Sequence, residues 1–291
     1  MSNPSWTWPD GARLALSVVV NVEEGAEASI ARGDRGPEPV DELGIMLKRP
    51  VRNYGNESNY QYGIKAGAPR VMKLLDKHGV RATFTAAAVA LEAAPDLTRA
   101  IVAGGHEVCS HGYRWVHQYH MDEAAERDFI RKAVASIKAT TGAAPAGWLS
   151  RYLFTANTRR LLLEEGFTYH MDDFSDDQPF WDSVETAQGR KPMVIVPYAL
   201  DSNDMKFWTD PALSPDAWLK YAIDSFEWLY EEGRDAPRMM SFGVHLRIVG
   251  RPGRIGAFDR FLAHVSARPG VWITTRKAIA EHFARQVPAP A

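Results

Sequence analysis

The feature that most constrains this chain is a short apolar stretch with no polar face. Residues 14–20 run Leu14, Ala15, Leu16, Ser17, Val18, Val19, Val20. A half-exposed strand would alternate apolar and polar side chains. A nearly continuous run instead belongs to a strand covered on both sides, as in a parallel sheet. Further along, Val71, Leu74 and Leu75 stand at helical spacing within 68–78, Gly79 stops that helix, and 81–85 read as the next strand. The same logic predicts helices over 96–103, 122–140, 155–165, 215–233, 256–268 and 276–284. Strands are predicted over 106–110, 192–197, 238–245 and 271–274. Such alternation implies an α/β fold with parallel strands inside and helices outside. Periodicity alone does not separate a barrel from an open sheet. With no repeat, linker or low-complexity stretch, residues 1–291 read as one domain, long enough to bury a large core. Segment 26–65 is polar, rich in Gly, Pro and Tyr, and without period. It is expected to be irregular and to cover a pocket or pack on a neighbouring subunit.

Composition removes several classes of function. Lys and Arg number 34 against 36 Asp and Glu, a formal net charge of −2. That balance offers no electrostatic footprint for nucleic acid or an anionic membrane surface. A single cysteine, Cys109, excludes an intrachain disulfide and a multi-thiolate metal site, and agrees with a reducing cytosol. No stretch approaches the roughly 20 apolar residues a membrane span needs. Residues 1–11 lack the basic patch and apolar run of a secretory signal. A cytoplasmic protein acting on a small diffusible substrate is therefore expected.

Parallel sheets place their chemistry at the C-terminal ends of strands. Three polar groups fall there: Glu23 and Glu24 after the first strand, His111 after the strand at 106–110, and His245 with Arg247 after the strand at 238–245. Adjacent carboxylates at a strand end point different ways, so one can activate water while the other orients a substrate or holds a cation. His245 suits general acid–base work near neutrality. Each residue alone is equally consistent with a solvated turn or a hydrogen-bonded structural histidine. Their joint placement is what singles them out. Trp6 and Trp8 read as core or interface residues. Gly250–Arg254 lacks the spacing of a phosphate loop, and Asp172, Asp173, Asp176 and Asp177 lack that of a calcium loop.

This constellation resembles the polysaccharide deacetylase, or NodB-homology, superfamily (carbohydrate esterase family four) along essentially the whole chain. Asn21-Val22-Glu23-Glu24-Gly25 is similar to its first motif with Glu in place of Asp. Gly105-His106-Glu107-Val108 and His111 are similar to its second, and Val244-His245 with Gly250–Arg254 to a late motif of one branch. The resemblance implies a distorted (β/α) barrel, Glu23 as catalytic base, His245 as catalytic histidine and Glu24 in the metal-ligand position. The departures matter. Four residues after His111, where a second metal histidine belongs, stands Trp115, whose indole N–H only donates. One carboxylate and one imidazole make a poor zinc site. His117 and His120 are close in sequence but at the wrong spacing, and Gly147–Phe154 does not carry the family's arginine motif, so Arg151 takes no role from it.

These departures resemble the branch holding metal-independent allantoinases and cyclic imide hydrolases. Stretches 57–63, 157–161 and 172–181 strengthen that likeness. The resemblance implies a homotetrameric hydrolase that opens a small cyclic imide by C–N cleavage. Allantoinase and a metal-dependent polysaccharide N-deacetylase are the alternatives. No cofactor is expected; were zinc bound, Glu24 and His111 would hold it. In the expected mechanism Glu23 deprotonates water and His245 protonates the leaving ring nitrogen. Glu24, His111, Trp115, Glu57, Asp172 and Asp176 are expected to hold the imide or ureide, Glu57 reaching the ring N–H groups from the long segment. Oxyanion donors are not nameable from the residues alone.

Overall fold

The computed structural model describes residues 6–42, 44–45 and 47–290; the N-terminal reading above therefore falls partly outside the described residues. Strands are β1 (Leu14–Val22), β2 (Thr83–Ala86), β3 (Glu107–Ser110), β4 (Gly147–Trp148), β5 (Tyr169–His170), β6 (Phe180–Thr186), β7 (Gly189–Ile195), β8 (Arg238–His245) and β9 (Val271–Ile273). Helices are α1 (Tyr54–Tyr62), α2 (Ala68–Lys77), α3 (Ala88–Ala93), α4 (Pro95–Ala103), α5 (Glu123–Thr141), α6 (Thr158–Glu164), α7 (Pro215–Glu232), α8 (Leu246–Val249), α9 (Pro252–Ser266) and α10 (Arg276–Gln286). No described helix is long and apolar enough to cross a membrane.

The sheet runs β6-β7-β5-β4-β3-β2-β1-β8, with β9 pairing the start of β1. All pairs are parallel except the β6–β7 hairpin. Between β7 and β8 the barrel is closed by side chains and one isolated bridge rather than by a full ladder. Asn203 bridges Gly243. The buried Arg276 guanidinium donates to the carbonyls of Val196 and Pro197 and to Ser241 Oγ. The fold is thus a distorted barrel.

β1 is covered on both faces. Leu14, Leu16, Val18, Val20 and Val22 join a cluster with the outer helices, where Phe242 stacks on Phe261 with centroids 3.9 Å apart. Ala15 and Val19 join a second cluster with Trp8, Cys109 of β3, Tyr169 of β5, Val194 of β7 and Met239 of β8. Strands from around the barrel meet in that second cluster, so it is the inside. Alternation then carries Asn21 and Glu23 inward and Glu24 outward. Trp6 and Trp8 are core residues, packed edge to face at 4.6 Å.

Segment 26–65 is not irregular throughout. It ends in α1, which passes through a π-helical turn, Gly63–Gly67, into α2. The helix escaped periodicity because it is polar, begins Tyr54-Gly55, and buries only Asn56 and Tyr60. The turn requires its glycines: a Cβ at Gly63 would lie 2.3 Å from Glu24 Oε1, and one at Gly67 would lie 2.0 Å from the Leu246 carbonyl oxygen. Backbone is thereby pressed against both β1's outer carboxylate and the turn after β8, and π turns of this kind often mark functional sites.

Candidate active site

The register of β1 against β8 pairs Asn21 with His245, and β2 and β3 follow on the other side. Glu23, His245 and His111 therefore converge. Glu23 Oε1 lies 3.4 Å from His245 Nε2 and 3.5 Å from His111 Nε2. Its other oxygen accepts from Arg247 Nη1 at 2.6 Å. All four side chains are buried.

Each member is fixed from behind. His245 Nδ1 donates to Asp204 Oδ1 at 2.7 Å, while Asp204 Oδ2 accepts the backbone N–H groups of His245 and Val249. His245 Nε2 is left facing Glu23. Burial disfavours a charged imidazole, yet Glu23 and Asp204 outweigh it and push the pKa of His245 up to about 9. Burial likewise opposes ionisation of Glu23, but Arg247 and then His245 hold its carboxyl well below the usual carboxylate range. Near neutrality the pair is thus carboxylate and imidazolium, a base beside an acid. Burial pushes Glu24 up to about 7, with Arg247 only partly offsetting it.

His111 Nδ1 is 2.7 Å from the Leu149 carbonyl oxygen, which can only accept, so Nδ1 carries the proton. Its Nε2 accepts the Trp115 indole N–H at 3.1 Å. Neither residue therefore has a free N–H donor for substrate: the Trp115 donor is spent on the imidazole, and the imidazole's own on the backbone. Trp115 is itself clamped, with the Arg151 guanidinium carbon 3.7 Å from its ring centroid. Arg151 donates to the Trp115 carbonyl at 2.8 Å and forms a buried pair with Glu38 of the long segment.

A divalent ion does not fit this donor set. Both Glu24 oxygens accept backbone N–H groups, from Arg247 at 3.1 Å and Glu23 at 3.1 Å. The His111 lone pair faces Trp115, and Arg247 Nη1 already stands 3.8 Å from Glu24 Oε1. Among the described residues no three His, Cys, Asp or Glu side chains are grouped to hold a metal. His117 bonds the Arg151 carbonyl oxygen instead, and His120 is exposed.

Three expected substrate contacts are not brought to this centre. Glu57 is engaged by Arg52 in a two-pronged pair and lines a cavity of about 300 Å³ on the outer side of Glu24, with Glu27, Arg32 and Lys65. Asp172 is buried as a strut, accepting from the Ser150 N–H at 2.7 Å and pairing with His170 at 2.6 Å. Asp176 is exposed, and its neighbour Asp177 accepts from the Met239 N–H at the start of β8. That is about 20 Å along the strand from His245.

Sequence reasoning missed Asp204, Arg247's role, Glu38, and the Tyr60 and Trp208 rings, whose centroids lie 4.4 and 5.7 Å from the Arg247 guanidinium carbon. Arg247 carried a signal, an arginine flanked by Leu246, Ile248 and Val249 just after His245. Asp204 and Glu38 carried none, since nothing local links them to partners 41 and 113 residues away.

The family described as polysaccharide deacetylase matches residues 58–170. A protein of Schizosaccharomyces pombe (strain 972) named for the polysaccharide deacetylases is 36% identical, with 97% of this chain and 93% of that protein covered. The crystal structure of a probable polysaccharide deacetylase from Pseudomonas aeruginosa PAO1 superposes with a TM-score of 0.92 at 41% identity, over 99% of this chain and 96% of that one. The crystal structure of PuuE allantoinase also superposes with a TM-score of 0.92, at 40% identity over 99% and 95% of the two chains.

Proposed function

This chain belongs to the polysaccharide deacetylase family, and from that premise we propose that it is a metal-independent hydrolase opening a small cyclic amide at a ring C–N bond. One observation carries the reading: the Glu23 carboxylate stands between two imidazoles, one of which Asp204 holds as an acid, in a centre where the Trp115 indole bonds the His111 lone pair and Arg247 lies beside both carboxylates. Glu23 removes a proton from water as the water oxygen attacks a ring carbonyl. His245 gives its Nε2 proton to the departing nitrogen, the proton taken up by Glu23 then restores the imidazolium, and the new carboxylic acid loses its proton to solvent. Water is thus added across the C–N bond, leaving a carboxylate and an amide or ureide.

Among ring substrates, the cyclic ureide allantoin is placed ahead of plain imides. The support is the likeness to PuuE allantoinase along nearly the full length of both chains. N-deacetylation of a sugar is the second reading, favoured by the names of the S. pombe and Pseudomonas relatives.

Chelator-treated enzyme incubated with allantoin, hydantoin, dihydrouracil, succinimide and glutarimide tests the proposal. Turnover of allantoin without added metal is expected, and loss of it in Glu23→Gln with the fold intact. Turnover confined to the imides would move the substrate class but keep the chemistry. Inactivity on every ring, with zinc-dependent release of acetate from an N-acetyl sugar, would overturn the reading.

A further inference from the structure

Arg247 is fully buried, and only one of its three guanidinium nitrogens has a hydrogen-bond partner. Nη1 donates to Glu23, whereas Nε and Nη2 have no partner in the protein. These two nitrogens form one edge of the guanidinium plane, a two-donor fork suited to an oxygen carrying negative charge. Buried donors are ordinarily satisfied, and an exception calls for an explanation. Arg247 is also held too firmly for the open edge to be slack. Its backbone N–H is bonded to Glu24 Oε1, and its guanidinium carbon lies 4.4 Å from the Tyr60 ring centroid, 5.4 Å from Trp115 and 5.7 Å from Trp208. Through Nη1 the same plane touches the carboxylate assigned as base.

We propose that the free Nε–Nη2 edge of Arg247 receives the scissile carbonyl oxygen and stabilises it as an oxyanion, the electrophilic role that a divalent ion would otherwise fill. This rests on the ring-opening reading above. When water attacks, the carbonyl π electrons move to oxygen, and Nε–H and Nη2–H hold the resulting anion. When the carbonyl re-forms, the electrons of the C–N bond leave with nitrogen, which takes the His245 proton. The guanidinium neither gains nor loses a proton. Arg247 thereby links the base to the atom whose charge the base creates.

Steady-state kinetics of Arg247→Ala and Arg247→Lys on the ring substrate test this. For Arg247→Ala, kcat should fall about a hundred- to a thousandfold with KM changing much less, the magnitude typical of an oxyanion donor. Added guanidinium should restore part of that loss in Arg247→Ala and none in Glu23→Gln. Arg247→Lys keeps the charge beside Glu23 and serves if the alanine variant does not fold. It should remain at least tenfold impaired in kcat, because a single ammonium cannot present the fork. A role limited to lowering the Glu23 pKa would instead move the acid limb of the pH profile upward and leave the high-pH plateau of kcat intact. That result, or folded variants with near wild-type kcat, would overturn the proposal. Wild-type enzyme inert toward every ring amide would instead remove the ring-opening reading itself.

Discussion

The Trp115 indole donates its N–H to His111 Nε2 across 3.1 Å, four residues back along the same loop. The bond fixes the face that His111 turns toward Glu23 and uses the lone pair by which that imidazole would ligate a metal. Trp115→Phe keeps a smaller aromatic ring at this buried position and removes the donor. Leaving a buried acceptor unsatisfied costs about 1–3 kcal/mol. Urea denaturation should show a loss of at least that size, the lost indole volume adding to it, with reduced turnover because His111 keeps only its bond to the Leu149 carbonyl.

The pH dependence should follow His245. Its folded pKa is about 9, so kcat/KM should hold through neutrality and fall on the alkaline side near that value as the acid is lost. Asp204→Asn removes one of the two anions responsible and should shift the alkaline limb down by about one unit or more. A profile that does not move would detach Asp204 from catalysis. Stability should change with the same sign. The folded state holds this proton more tightly than the unfolded chain, whose histidine titrates near 6.5. The contribution is therefore complete below about 6.5 and lost as pH rises toward 9, with a slope of up to about 1.4 kcal/mol per pH unit. Denaturant titrations of wild type and His245→Asn across this window isolate it.

Glu38 and Arg151, both buried, pin the long segment over Trp115. Arg151→Met should destabilise by about 3–5 kcal/mol, because Glu38 is left as an unpaired buried charge. Adding Glu38→Gln should recover a large part of that loss. A double-mutant cycle measures the difference, and additive effects would mean the two side chains do not act as a pair.

Gly63→Ala should impair turnover without unfolding the barrel. The new Cβ would meet Glu24 Oε1 at 2.3 Å, forcing Glu24 off the Arg247 N–H. Gly256→Ala, inside α9 with nothing within 4 Å of the added atom, is the control. It should leave activity unchanged and gain up to about 1 kcal/mol of stability from helix propensity.

Much of this molecule is determined locally and is readable along the chain. The apolar run of β1, the helical spacing of α2, the glycine stops and the acidic start of α5 each depend on neighbours a few residues away. The alternating order of strands and helices follows from them, and so does the placing of Glu23, Glu24, His111 and His245 at strand ends. The Trp115 substitution was equally legible, because it depends only on an interval of four. Tertiary structure alone decided what those groups do. Asp204, Arg247 and Glu38 meet their partners only because parallel strands bring distant segments together, and no periodicity encodes a contact across the barrel. Asp172 and Asp176 looked alike in sequence, yet one became a buried strut and the other an exposed residue at the far end, since direction along a loop is set by the packing around it. The sequence by itself determined that Glu23, His111 and His245 stand at the ends of their strands. Packing decided which of their polar atoms are already spent and which remain open to a substrate, because a hydrogen-bond donor is available only after every nearer acceptor has been counted.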